Sequence, residues 1–187
     1  GVDWEGSSST ANCYLRATPD LAPSGIPAMD VQVMRNYARV RPTTARTLLE
    51  LVPPYEGIEN GTPPPALEAE GPGVTINRFG NGTAVYCAAK VFDAYLTEST
   101  PVLRKLGLWM LSLAYPPEAR SIRRANTPVN IEMFYNERGG ERFVHLVNYA
   151  GDKREVGTPQ TQDFITAHGI TVTVSTPKRP AAVTVVP

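Results

Sequence analysis

The stretch Val74-Thr75-Ile76-Asn77-Arg78-Phe79-Gly80-Asn81-Gly82-Thr83-Ala84-Val85-Tyr86-Cys87-Ala88 sets the frame for the whole chain. Two β-rich runs flank Gly80-Asn81-Gly82, and Asn-Gly supplies the positive φ angles that a tight hairpin turn requires. Alternation puts Val74 and Ile76 on one face, with Val85 and Cys87 opposite them on the same side. An antiparallel hairpin is therefore expected here. Further short strands are expected over Asn12–Arg16, Asp30–Met34, Thr47–Val52 and Ile170–Val174. A second hairpin is read from Val129–Tyr135, turning at Arg138-Gly139-Gly140 and returning over Phe143–Tyr149. That return strand is apolar on both faces, so it is expected to be central in its sheet. The run Val183–Val186 reads as a strand that follows.

One amphipathic helix interrupts the strands. Ser99 or Thr100 can cap it, and Pro101 fits the first turn, where a missing N–H is harmless. Val102, Leu103, Leu106, Trp109, Met110 and Leu113 recur at helical spacing, and Pro116-Pro117 ends the run. Proline (18) and glycine (15) punctuate the 187 residues so densely that short strands are favoured over long helices. Thr18–Pro27 is read as a loop, as is the longer turn-rich stretch 55–73. A loop of that length marks a boundary, a partner surface or a site rim.

Composition narrows the function. Apolar residues make up 42% and charged residues 19%, which excludes wholesale disorder. Lys+Arg and Asp+Glu are 18 each, so the basic excess of a nucleic-acid binder is missing. No apolar run is long enough to span a membrane. The charge is unevenly placed, net −4 over residues 1–76 and +4 over 77–187. Two lone cysteines, Cys13 and Cys87, do not make a disulfide framework; they read as small buried hydrophobes compatible with a reducing, cytoplasmic compartment.

No constellation for bond-making chemistry emerges. His145 falls in a strand and reads as a core or semi-buried residue, and His168-Gly169 reads as a turn. No Cys, His and carboxylate spacing suits a metal, and no glycine-rich loop opens a helix to cradle a phosphate. No cofactor is expected. Glu50, Glu56, Glu59, Glu132 and Glu141 are not paired by the sequence as glycosidase carboxylates would be. Arg120, Arg123 and Arg124 form a small basic cluster read as a solvated connector. Asn60-Gly61-Thr62 and Asn81-Gly82-Thr83 match the glycosylation pattern, the second being better explained by its turn. Trp4, Tyr14, Tyr37, Tyr55, Phe79, Tyr86 and Trp109 are the aromatic residues able to stack on a sugar ring. Tyr55, in the proline-rich loop, is the best exposed candidate for a sugar contact.

Two segments carry a family resemblance. Gly73–Tyr86 resembles the hairpin near the end of the trimerisation domain of β-galactosidases, an amidotransferase-like module of flavodoxin type. Val129–Tyr149 is similar to the strand pair opening the small β-domain that follows in those enzymes. The resemblance covers about residues 70–187 and implies an α+β fold. Residues 1–125 would be a remnant of the amidotransferase-like module, short of most of its parallel strands, and 126–187 a partial β-sandwich. It brings no catalytic residue, because the carboxylates of such enzymes lie in a (β/α)8 barrel that has no match here. It implies an accessory role: a fragment belonging to a larger parent chain, shaping a homo-oligomer interface or a pocket edge. A carbohydrate-binding β-module is the rival reading. Both chain ends read as cuts through folded sequence, in line with a fragment.

Overall fold

The computed structural model describes residues 1–17, 25–26, 28–56, 62–128, 130–148 and 166–186. The chain is α+β and mostly antiparallel, in two compact units, Gly1–Pro116 and Pro117–Pro187. Ile122–Asn126 is a strand that pairs within the second unit.

The first unit is built on a five-stranded antiparallel sheet. Its strands are β2 (Cys13–Arg16), β3 (Asp30–Val33), β5 (Arg46–Val52), β6 (Gly71–Phe79) and β7 (Gly82–Cys87), in the order β3-β2-β5-β6-β7. The hairpin pairs Val74 with Cys87 and Ile76 with Val85, the register the alternation predicts. Gly80 takes φ +56°, the left-handed turn conformation for which glycine is suited. β6 starts at Gly71, so the end of the expected loop 55–73 is strand. A separate ribbon pairs β1 (Val2–Ser7) with β4 (Ala38–Pro42), neither of which the sequence reading picked out.

Two helices lie against the sheet rather than one. α2 (Pro101–Ala114) is the expected helix, and Leu103, Leu106 and Met110 on its stripe are buried. α1 (Val91–Glu98) was not expected. Its N-cap residue is Lys90, which gives no side-chain capping bond, so the usual start signal is missing. Ser99, read as a helix start, instead ends α1 in the left-handed conformation at φ +52°. Thr100 holds the N-cap position of α2 without a side-chain capping bond. Mid-helix Gly107 has a packing reason: a Cβ there would lie 2.9 Å from the Phe92 ring, so the missing side chain lets α1 approach α2.

The core joins sheet and helices. Leu15, Val31, Val33, Leu49, Leu51 and Val74 from the strands meet Val91, Ala94, Leu103, Leu106 and Met110. Cys13 and Cys87 are both free thiols. Burial pushes the Cys13 thiol up to about 12, and the neighbouring Cys87 adds to the effect. Burial likewise pushes Cys87 up to about 12, against backbone hydrogen bonds from Ala89 and Val91 that pull it down. A thiol in the unfolded chain ionises near 9.0. The folded state therefore holds protons that the unfolded state releases as pH rises. Stability is whole below that pKa and is expected to fall as pH climbs from about 9 toward 12. Urea titrations at about pH 8 and about pH 10.5 check this; Cys→Ser variants should lose part of the slope, and a flat wild-type response would refute the assignment.

The second unit holds a hairpin, β9 (Ile131–Arg138) with β10 (Glu141–Asn148), and a pair, β8 (Ile122–Asn126) with β11 (Thr171–Val174). None of its residues with described burial is fully buried. β10 is not central: among the described residues it pairs with β9 alone, and Phe143, Leu146 and Val147 are exposed. Val183–Val186 forms no strand and lies exposed, because nothing among the described residues pairs with it. Every strand pair among the described residues is antiparallel. Val129, Tyr149, Asn60, Gly61 and most of the Thr18–Pro27 loop lie outside the described residues.

Candidate functional site

Two adjoining depressions lie on the first unit. The first forms where the chain runs from the end of β5 to the start of β6, and the second where the start of β6 meets β4 and Glu5 of β1. The first has a volume of about 460 Å³ and is lined by Pro53–Glu56 and Ala66–Glu70. Its two walls are tied together by backbone hydrogen bonds, Tyr55 N to Pro64 O at 2.7 Å and Ala66 N to Pro53 O at 2.9 Å. The prolines lower the conformational freedom of both walls before any ligand arrives.

Arg16 holds one wall from beneath. Its guanidinium pairs bidentately with Asp30, Nε to Oδ1 and Nη2 to Oδ2, both at 3.0 Å. The same group donates to the carbonyls of Leu67 at 3.0 Å and Ala66 at 3.1 Å. The hydrogen bond to Asp30 raises the Arg16 pKa further, so its charge is permanent. Tyr14 donates its hydroxyl to the carbonyl of Pro63 and so fixes the same segment.

Tyr55, the sugar-contact candidate of the sequence, stands at this depression and is 54% exposed. Its ring is presented at the surface while its backbone N–H is bonded. Trp4 and Phe79 are also exposed, at a ribbon and at the hairpin tip respectively. Trp109 is half-buried against the core, and Tyr14 and Tyr37 are buried.

The second depression, about 150 Å³, shares Glu70 with the first. Glu70 closes β5 to β6 through its N–H, which donates to Leu51 O at 2.8 Å. Its carboxylate forms an ion pair with Arg39, Oε1 to Nε at 2.6 Å, and accepts a hydrogen bond from the Tyr37 hydroxyl on Oε2. Burial, and then that bond to Glu70, push the Tyr37 hydroxyl above its ordinary pKa. Tyr37 therefore remains a proton donor, and Glu70 is oriented from below by a buried group. The Arg39 side chain is half exposed. Glu5 reaches the same rim because β1 bulges between Trp4 and Gly6, leaving Glu5 unmatched in the ladder.

The sequence reading missed Glu70, Arg39 and Glu5. Alternation in Ala38-Arg39-Val40-Arg41 was the available signal for β4. No local pattern brings Glu70 to Arg39, since that meeting depends on tertiary pairing.

His145 is not a core residue. It is exposed on β10, faces Phe134 in the register and stacks on Phe143 with ring centroids 6.4 Å apart. His168 is exposed as well. Among the described residues, no group of three or more His, Cys, Asp or Glu is placed to hold a metal ion. Arg123 and Arg124 belong to β8, so that basic cluster is partly strand and not a simple connector. No helix among the described residues is long and apolar enough to cross a membrane.

No known family model matches the chain, and no curated protein is similar to it in sequence. Its fold does have a counterpart among solved structures. It is similar to part of alpha-L-fucosidase isoenzyme 2 from Paenibacillus thiaminolyticus, with a TM-score of 0.74 and 18% identity. The likeness covers 95% of this chain and 27% of the fucosidase. The chain thus has the fold of a segment of a glycoside hydrolase and spans about a quarter of that enzyme's length.

Proposed function

We propose that this chain is a non-catalytic accessory segment of a carbohydrate-active glycoside hydrolase. The observation that carries the reading is the asymmetry of the structural likeness: 95% of this chain against 27% of the fucosidase. A piece of that proportion fits a supporting module that shapes a subunit interface or a pocket edge. The site chemistry supports the same reading. Glycosidases need two carboxylates facing each other across the scissile bond. Glu70 is instead committed to Arg39 and Tyr37, an arrangement that holds it in place as a structural and binding group. The finer attributions, a C-terminal position and a β-galactosidase-type parent, rest on the sequences of the two hairpins.

Assaying the purified chain against a panel of aryl glycosides, including an aryl α-L-fucoside, tests this. The expected result is no release of the aryl group above buffer. Turnover that scales with protein concentration and survives repurification would overturn the accessory role.

A further inference from the structure

We infer that the two depressions sharing Glu70 form one binding site for a neutral oligosaccharide, with Tyr55 as its stacking platform and the Glu70–Arg39 pair as its polar anchor. This goes beyond the accessory reading, since an accessory segment need not bind any glycan.

The two depressions supply complementary halves of a sugar site. A pyranose has an apolar face of C–H groups and a rim of hydroxyls. The exposed Tyr55 ring offers the electron-rich face that C–H groups prefer. Leu67, 89% exposed in the same depression, extends that apolar surface. The rim then needs partners that donate and accept side by side, because each hydroxyl does both. The Glu70–Arg39 pair is such an edge. Glu70 Oε2 accepts the Tyr37 hydroxyl and Oε1 faces the Arg39 guanidinium, so the carboxylate retains acceptor lone pairs while a guanidinium carries donors beyond its Nε. Two vicinal hydroxyls can therefore bridge carboxylate and guanidinium, with charge-assisted hydrogen bonds on both.

The size and charge choose among ligands. The smaller depression, at about 150 Å³, is half the roughly 300 Å³ at the low end of drug-sized pockets and suits about one sugar ring. The larger one, at about 460 Å³, accommodates the ring or rings that follow. Open, shallow ground of this shape takes a chain lying along a surface. Of the four carboxylates lining the two depressions, Glu70 is ion-paired with Arg39 and Glu5 with Arg41, and Glu56 and Glu68 leave the lining net negative, so an anionic glycan would be repelled. Preorganisation favours binding: the walls are proline-stiffened and cross-bonded, and Tyr14 and Arg16 hydrogen-bond the carbonyls of Pro63, Ala66 and Leu67.

Calorimetric titration of the 187-residue chain with cellohexaose, xylohexaose, galactotetraose and 2′-fucosyllactose tests the assignment. At least one neutral glycan should bind. Tyr55→Ala and Glu70→Gln should each weaken it about tenfold, and Phe79→Ala, at the hairpin tip, should leave it unchanged. Thermal melts of each variant separate lost binding from lost folding. Tetragalacturonate should not bind. A flat response to every neutral glycan, binding indifferent to both site variants, or a preference for oligolysine over the sugars would each overturn the proposal. None of these outcomes alters the accessory reading, which the aryl glycoside assay tests separately.

Discussion

Replacing Gly73 by alanine is expected to destabilise the protein by about 3 kcal/mol, near the upper end of the usual overpacking cost. Gly73 lies in β6, where the ladder with β5 slips between Leu49 and Glu50. A Cβ at this position would stand 2.4 Å from Leu15 Cδ2 and 3.0 Å from both the carbonyl carbon and oxygen of Glu50. The first contact is a side chain, but Leu15 is 0% exposed and packed within the core cluster, so it yields only by displacing its neighbours. The second is backbone in a central strand and cannot yield without disturbing the β5–β6 ladder. The Gly73 carbonyl also accepts from Ala88 N–H at 2.8 Å, so a displaced Gly73 strains the hairpin too.

Such a loss is a large share of the roughly 5–15 kcal/mol that separates folded from unfolded domains. Guanidinium titration of the wild type and Gly73→Ala measures it. A double-mutant cycle with Leu15→Ala sharpens the test. Leu15→Ala alone should cost about 3 kcal/mol through its cavity, but with Gly73→Ala the added methyl occupies part of that space. The two losses should therefore sum to more than the double variant shows. Strict additivity, or a Gly73→Ala protein as stable as wild type, would mean that the strands are not so closely apposed.

Gly73 immediately precedes the Val74–Ala88 stretch, a segment where local pattern suffices. Hairpin register follows from alternation and an Asn-Gly turn, both local, and Val74 opposite Cys87 is where the pattern puts it. The face of α2 is likewise legible, because helical spacing is an intrinsic property of six apolar residues. α1 escaped because its ends carry no chain signal: Lys90 precedes it and Ser99, not glycine, adopts the left-handed turn after it. β10 misled for another reason. Apolar residues on both faces imply burial, yet Phe143 and Leu146 are exposed, so local hydrophobicity did not determine the strand's neighbours. The site divides in the same way. Tyr55 was legible as an aromatic in a proline-rich loop, whereas Glu70, Arg39 and Glu5 meet only through the β5–β6 ladder, the β4 ribbon and a β-bulge. Convergence of residues distant in the chain leaves no periodicity to read.

The phase of α2 makes a second strong prediction. Leu106 is 0% exposed and Leu108, two residues on, is 53% exposed. Two steps along a helix rotate a side chain by about 200°, so these leucines point to nearly opposite sides. Leu106→Ala should remove a methylene cluster from the contact between α2 and the sheet and leave a cavity there, at a cost of about 3–4 kcal/mol. Leu108→Ala removes the same atoms from the outer face and replaces leucine by a slightly better helix former. Its effect should stay within about 0.5 kcal/mol. Denaturant titration of the two variants gives the comparison, and unchanged m-values would confirm that only native packing was altered. Equal losses at the two positions would mean that the outer face of α2 is covered in solution, and a larger loss at Leu108 would mean that the helix is turned the other way against the sheet.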